Sequence, residues 1–424
     1  MAAGLEHRAS DVVVVGAGVV GIAAAYYLGA RGASVTVVDK GEVAGGASYG
    51  NAGLVVPSHS VPLPHPGVLS QGLRFLLDRD NPFYVKPRLD RDLVSWLLAF
   101  RRCCTETHVR RAVPVIRDLS QASLALFKEL AGRFDFGFRH DGLLVVYRTE
   151  RGLEDGRHEA DVLNAAGIAA KVVDGAAARG LEPSLRPDIA GAVLFPDDAH
   201  VTPHRFVRGL ARAAEGLGVT IRTGAEVLGF RTDGRRIRVV ETTRGDQACD
   251  HVVLATGSWS PALGRALDLS LPIQPAKGYS VTYEQPPEGP RLPMLLVEAR
   301  VAVTPMQTER GGWLRFGGTL ELAGLDLSID RRRVAAIERG ARQFVALPDT
   351  LPLLEVWRGL RPCTPDGLPM IGRPRRWQNV VLATGHAMLG LTLGPVTGRL
   401  VAQVITGERP LFDLGPVDPD RFAR

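Results

Sequence analysis

The chain has 424 residues, 45% of them hydrophobic and 23% charged, an ordinary globular composition with length enough for two domains and their cores. The net charge of +6 is mild and lysine occupies only five positions, so the basic residues are scattered arginines, not the aromatic-interleaved patch of a nucleic-acid binder. Cys103, Cys104, Cys249 and Cys363 make neither a C-x-x-C pair nor a metal spacing, which implies a reduced, cytoplasmic protein without a metal centre.

The first element is a complete βαβ unit. Val12 to Val15 is an apolar β-branched strand, and Gly16, Gly18 and Gly21 follow in G-x-G-x-x-G spacing. Ile22 to Leu28 is an Ala-rich helix, and Ser34 to Val38 is a second strand ending on Asp39. Gly16 permits the tight turn, and Gly18, with Val19 and Val20 beside it, brings backbone to a pyrophosphate on the helix N-terminus. Gly21 allows close helix–strand packing. Asp39, followed by Lys40, is placed to accept both hydroxyls of an adenosine ribose and would repel a 2′-phosphate. Val12 to Ala30 is uncharged and about as long as a membrane span, and with Arg8 ahead of it resembles a signal peptide. The three glycines and the acid at the strand end fit neither of those readings.

Gly45 to Gly53, GGASYGNAG, is too polar and flexible for a strand and returns the chain toward the nucleotide, where Ser48 and Asn51 could meet phosphate or ribityl oxygens. Val55 to Pro87 reads as a long irregular excursion. His59 and His65 lie in it as loop residues without ligand partners. Leu89 to Phe100 is an amphipathic helix with Leu93, Trp96, Leu97 and Phe100 on one stripe, suited to core packing or to a membrane surface. Further helices are expected at Pro114 to Arg133, Glu154 to Ala166 and Thr202 to Leu217, the last with Pro203 at its first turn. Strands are expected at Leu143 to Tyr147, Ala190 to Phe195, Val219 to Arg222, Glu226 to Thr232 and Arg236 to Thr242, the last two joined at Asp233-Gly234.

His251 to Gly257 is a buried strand ending on the small residues Thr256 and Gly257, which admit a cofactor at the sheet edge. Ile273 to Val281, Val297 to Thr304 and Trp313 to Thr319 alternate as strands of a second sheet. Ile329 to Leu347 reads as a helix, Val380 to Gly385 as another buried strand, and Arg399 to Thr406 as the last helix.

Taken together, the fingerprint, SYGNAG, PAKGYSV, LRPCTPDGLPMIG and TGHAMLGLT resemble the FAD-dependent D-amino acid dehydrogenase and glycine oxidase family, in the same order and over nearly the whole chain. The resemblance implies an α/β fold: a Rossmann-like FAD-binding domain of glutathione-reductase type (1–60, 188–260 and 355–424). An α+β substrate domain on a mixed or antiparallel sheet (61–187 and 261–354) accompanies it. It implies non-covalent FAD with its ADP half on the βαβ unit and its ribose on Asp39. Ala47, Ser48, Asn51, Ala52, Gly53 and Leu54 would meet its middle, and Val227, Thr256, Gly257 and Trp259 would pack beside it. Gly385, Gly390, Leu391 and Thr392 would border the flavin pyrimidine edge, where a helix N-terminus would offset the charge of reduced flavin.

The family's substrate arginine matches Arg361, whose planar fork grips a carboxylate bidentately. Tyr279 resembles the position that approaches the substrate, and His386 could orient flavin or substrate. Two positions depart from the family. Met388 stands where glycine oxidases carry a second arginine. The stretch 297–306, VEARVAVTPM, lacks the Tyr and Arg that D-amino acid dehydrogenases tend to have there, though Arg300 could substitute. The pocket is therefore expected to be apolar. The implied reaction is hydride transfer from Cα of a D-amino acid, glycine, N-substituted glycine or D-hydroxyproline-type substrate to flavin N5, followed by imine hydrolysis. O2 or another acceptor would then reoxidise the flavin. A pyridine-nucleotide-linked reductase lacks its second G-x-G-x-x-G unit here, and a non-catalytic dinucleotide-binding module would not need LRPCTPDG or TGHAMLGLT.

Overall fold

The computed structural model describes residues 10–68, 83–309 and 311–423; Arg8 and the 69–82 part of the expected irregular excursion lie outside them. Consecutive valines such as Val12 to Val15 can all be buried only inside a parallel sheet covered on both faces. Strand Ser10–Val15 lies between Gln247–Leu254 and Val35–Val38, parallel to both. Val380–Thr384 and Thr220–Arg222 extend the sheet at either side, again parallel. The hairpin of Val227–Asp233 and Arg236–Thr242 continues from the start of Gln247–Leu254, and Met370–Gly372 pairs antiparallel with Val380–Thr384. Val12 and Val14 face helices Val19–Gly29, Pro203–Glu215 and Gly390–Thr406, while Val13 and Val15 join Ile237, Val240 and Leu382 on the other face.

The second sheet runs in space from Leu353–Cys363 through Gln274–Glu284, Gly311–Leu322, Val301–Thr308, Met294–Leu296, Leu143–Tyr147 and Gly191–Phe195 to Lys171–Asp174. It is antiparallel except where Met294–Leu296 meets Leu143–Tyr147 and where Phe83–Val85 lines up beside Gly311–Leu322. The sheet is thus mixed, as expected. Its core joins Tyr279, Val281 and Phe316 to Ile337 and Phe344 from the helix Arg331–Arg342 and the turn after it.

Val12 to Ala30 is, as expected, a strand, a turn and a helix at the centre of the first layer. Several other expectations change. Two segments change sheets: Gly191–Phe195 pairs with Leu143–Tyr147, and Leu353–Cys363 pairs with Gln274–Glu284, so both belong with the substrate-side sheet. The helix expected from Pro114 starts earlier, at Glu106, because Thr105 caps it by accepting the His108 N–H; Pro114 lies inside Glu106–Ala131. The last helix begins at Gly390 rather than Arg399 and tolerates Pro395, with the Val396 N–H reaching Ser123 Oγ at 3.4 Å. Val297 to Arg300 is a turn, closed by the Arg300 N–H on the Val297 carbonyl at 3.1 Å, and the strand begins at Val301.

Among the described residues, one helical stretch, Ala387–Thr406, is long and apolar enough to cross a membrane, and 67% of that window is buried inside the protein. Of the stripe on helix Arg91–Cys103, Leu93, Trp96 and Phe100 are buried, with the Trp96 indole donating to the Cys363 carbonyl at 2.9 Å, whereas Leu97 is exposed, beside exposed Val94 and Leu98.

Candidate active site

Strand Ser10–Val15 delivers Gly16 at φ +111°, where a Cβ would sit 2.5 Å from the Ala255 carbonyl oxygen, so only glycine fits this turn. A cavity of about 1530 Å³ opens there and continues into the second sheet, larger than a typical small-molecule pocket. Gly18, Val19 and Val20 line it at the helix N-terminus, where Ser48 Oγ accepts the Val19 N–H at 3.0 Å. Gly21 lies behind them, against the Gly16 carbonyl, as a packing glycine.

Asp39 lines the same end. Its two carboxylate oxygens accept the Ala17 and Gly41 amides, both at 2.7 Å, which fixes the acid at the strand end with lone pairs to spare. Lys40 places its ammonium 4.5 Å from the centre of the Trp259 ring, and both side chains border the cavity together with Val227.

The glycine-rich loop forms the middle wall through Ala47, Ser48, Asn51, Ala52 and Leu54. What holds it is Arg315, a residue the sequence reading missed. This guanidinium comes from the second sheet, is fully buried, and donates to the Tyr49 and Asn51 carbonyls at 3.0 and 3.1 Å. Glu355 lies 3.8 Å away, and burial pushes Arg315 down to about 10. A charged residue inside an apolar strand pattern (Leu314-Arg315-Phe316) was the available signal. Gly53 faces away from the cavity: its φ is +80° and a Cβ would meet the Val201 carbonyl at 2.4 Å.

Just past the Gly16 turn, Thr256 and Gly257 line the cavity beside a hydroxyl chain, with Ser260 Oγ 3.0 Å from Thr256 Oγ1 and 2.7 Å from Thr384 Oγ1. His386, Met388, Gly390 and Leu391 also line the cavity. His386 is buried, held down to about 3 by that burial and therefore neutral, and hydrogen-bonded to Thr397 Oγ1 at 2.9 Å. Met388 is exposed at the mouth. Gly385 and Thr392 stand outside the lining: Gly385 backs onto Thr364, and the Thr392 hydroxyl donates to the Leu54 carbonyl at 3.2 Å.

Arg361 enters from the edge strand Leu353–Cys363. Its guanidinium lies across Gly278 of the adjacent strand, where a Cβ would come within 2.1 Å of Nη1. Nη1 donates to the Thr319 carbonyl at 3.0 Å, and among the described residues no carboxylate pairs with it. Burial lowers its proton affinity below the usual arginine range. Thr319 is a β-branched residue at φ +65°, at a register shift between Gly311–Leu322 and Gln274–Glu284. Such a bulge re-aims the chain, and here its strained carbonyl fixes the guanidinium.

Strand alternation sends Tyr279 the other way. It borders the cavity, while its ring packs with Val281 and Phe316 and its hydroxyl accepts the Asp330 N–H at 3.4 Å. Arg300 lines the rim at φ +53° and stays exposed.

These residues fit a flavin dinucleotide. Two helix N-termini, at Val19 and Gly390, open on one cavity, where one suits a pyrophosphate and the other the negative edge of a reduced flavin. The family model for FAD dependent oxidoreductases, DAO, matches residues 11–404. The chain belongs to that family. It is 34% identical to a D-amino acid dehydrogenase of Granulibacter bethesdensis over 97% of this chain and 99% of that one. It is 36% identical to the D-amino acid dehydrogenase of Methylobacterium nodulans over 94% and 96%. The crystal structure of glycine oxidase from Geobacillus kaustophilus superimposes with a TM-score of 0.78 at 26% identity, covering 97% of this chain and 98% of that one. This oxidoreductase therefore carries its cofactor end and its arginine end in one continuous cavity.

Proposed function

We propose that this chain oxidises the C–N bond of an α-amino acid or N-substituted amino acid, using non-covalently held FAD and passing the electrons to O2 or another acceptor. The observation that supports it is Arg361, a half-buried guanidinium on the cavity wall with no carboxylate partner among the described residues. A desolvated cation of this kind calls for an anion, and a substrate carboxylate supplies one with matching fork geometry. Arg361 would hold the carboxylate, and the Thr319 carbonyl keeps the guanidinium from rotating. With both fixed, the substrate would be held in one orientation, and positioning is the main protein contribution. FAD, when bound, supplies the hydride acceptor. The substrate nitrogen must be neutral when it reacts, and the product imine is hydrolysed by water.

The wall near Arg361 favours an apolar substrate tail. Trp96 and Phe100 stack at 5.0 Å, line the cavity, and pack with Ala276, the cross-strand partner of Arg361. Anaerobic mixing of the yellow protein with D-amino acids, glycine, D-hydroxyproline and N-carboxymethyl amines tests the reading. Bleaching by at least one carboxylate-bearing amine is expected, and Arg361→Ala should lower its kcat/KM by roughly 100-fold or more while FAD stays bound. No bleaching by any of them, or an unchanged kcat/KM in the variant, overturns it. Acid precipitation should release the flavin into solution.

A further inference from the structure

Asp198 is almost fully buried and takes no part in the reaction above. The short pairing of Leu54–Val55 with Ala199–His200 brings the turn carrying Asp198 against the loop that follows Val55. There one Asp198 carboxylate oxygen accepts the Ser58 N–H at 3.1 Å, and the other accepts the Ser58 hydroxyl. Ser58 Oγ lies 3.1 Å from His59 Nδ1. Ser58 and His59 both line the cavity. Their loop is tied to the flavin-edge helix, where the Val56 N–H donates to Thr392 Oγ1 at 3.3 Å. Farther along, Pro62 lies against Gly367, just past Arg361.

We infer that Asp198, Ser58 and His59 form a proton wire that takes the proton from the substrate's ammonium group, a step required by the proposed amino acid oxidation, on which this inference rests. A hydroxyl has one proton to give. With Asp198 ionised, Ser58 donates to it and accepts from His59 Nδ1–H, which leaves Nε2 with its lone pair free to accept. The transfer then balances without electrons. An N–H proton leaves the substrate ammonium for His59 Nε2, the Nδ1 proton passes to Ser58 Oγ, and the Ser58 hydroxyl proton passes to Asp198. The products are a neutral amine, a neutral imidazole of the other tautomer and a carboxylic acid.

The electrostatics suit each member. Burial holds His59 down to about 4, so it hands a proton on without keeping it, and burial pushes Asp198 up to about 7. The charged group acting on Asp198 is its neighbour Asp197, which raises it further. On the facing loop His140 bonds the Asp197 carbonyl and Arg139 is paired with Asp141. His200 follows on the strand, buried and neutral, and His65 follows on the His59 loop with Glu106 near it.

The test uses the FAD-loaded protein. In anaerobic stopped-flow with a substrate found by the bleaching screen, the wild-type reduction rate should rise through about pH 7 and then level. Asp198→Asn donates to Ser58 and locks His59 Nε2 as a donor. Its acid limb should move up to the pKa of the substrate's own amine, with a loss of about 100-fold at neutral pH that closes at high pH. Ser58→Ala should shift the limb likewise, and Ser58→Thr, which keeps the hydroxyl, should restore it. Without substrate, the ring nitrogen chemical shifts of His59 should report a tautomer exchange across that pH range, absent in Asp198→Asn. A uniform rate loss with an unmoved limb, or a His59 tautomer indifferent to pH, overturns the wire. Failure of every amino acid to bleach wild-type flavin overturns the proposed function instead.

Discussion

Gly278→Ala separates grip on the substrate from every other property of the fold. The three atoms nearest the added Cβ all belong to the Arg361 guanidinium: Nη1 at 2.1 Å, Nη2 at 2.5 Å and Cζ at 2.6 Å. No backbone stands among them, so the side chain swings and the sheet stays. The swing breaks the 3.0 Å bond to the Thr319 carbonyl and moves the fork away from the proposed carboxylate position. Losing one good hydrogen bond to a charged group costs about 1.5–3 kcal/mol, or roughly 10- to 150-fold in kcat/KM. Removing a strand glycine works the other way on stability, adding about 0.5–1 kcal/mol. The expected result is an unchanged or raised Tm, full FAD content and a large KM increase for carboxylate substrates. An amine of the same shape without the carboxylate should lose almost nothing. Equal losses for both compounds, or no loss for either, would refute the placement of Arg361 over Gly278.

Two further outcomes follow from buried charge. Arg315→Met removes the donor to the Tyr49 and Asn51 carbonyls, so flavin fluorescence titration should show FAD affinity falling by about tenfold or more; unchanged affinity would mean the loop is held by other contacts. Burial keeps His200 near 4 and His386 near 3, so below pH 6.5 the unfolded chain binds protons that the folded chain refuses. Each then loses on the order of 3 kcal/mol by pH 4, while Asp198, raised to about 7, gains protons in the folded state over the same window and offsets one of them. The urea midpoint should therefore be lower at pH 4.5 than at pH 7.5, and a higher one would contradict these environments.

The cofactor end was legible because its chemistry is local. Gly16 to Asp39 states a turn, a helix start and an acid within one unit of chain, and all of it can be read from neighbours in sequence. Arg361 was legible only through its motif, since the strand carrying it, Leu353–Cys363, shows no clean alternation and holds Pro362. An edge strand tolerates both, which is why periodicity could not find it. Tyr279 shows the converse limit: its motif pointed to the cavity it borders, while its packing with Val281 and Phe316 in the second sheet's core was not readable from the motif. Arg315, Gly278 and the Ser58–Asp198 pair were invisible for a common reason. Each matters through a partner on another strand or loop, 266, 83 and 140 residues away respectively for Tyr49, Arg361 and Asp198.

The clamp of Arg315 on the glycine-rich loop also sets an order of events during synthesis. The fingerprint emerges first, but the loop proposed to lie along the cofactor is secured by a side chain made 266 residues after Tyr49. Contacts of such separation form late, after the intervening chain has closed its own strands. A nascent chain halted before Gly311–Leu322 would hold a formed βαβ unit and an unfastened loop. Flavin capture thus becomes a report on a second sheet built at least through Gly311–Leu322, and arrested chains of increasing length should retain no FAD until that strand has left the ribosome.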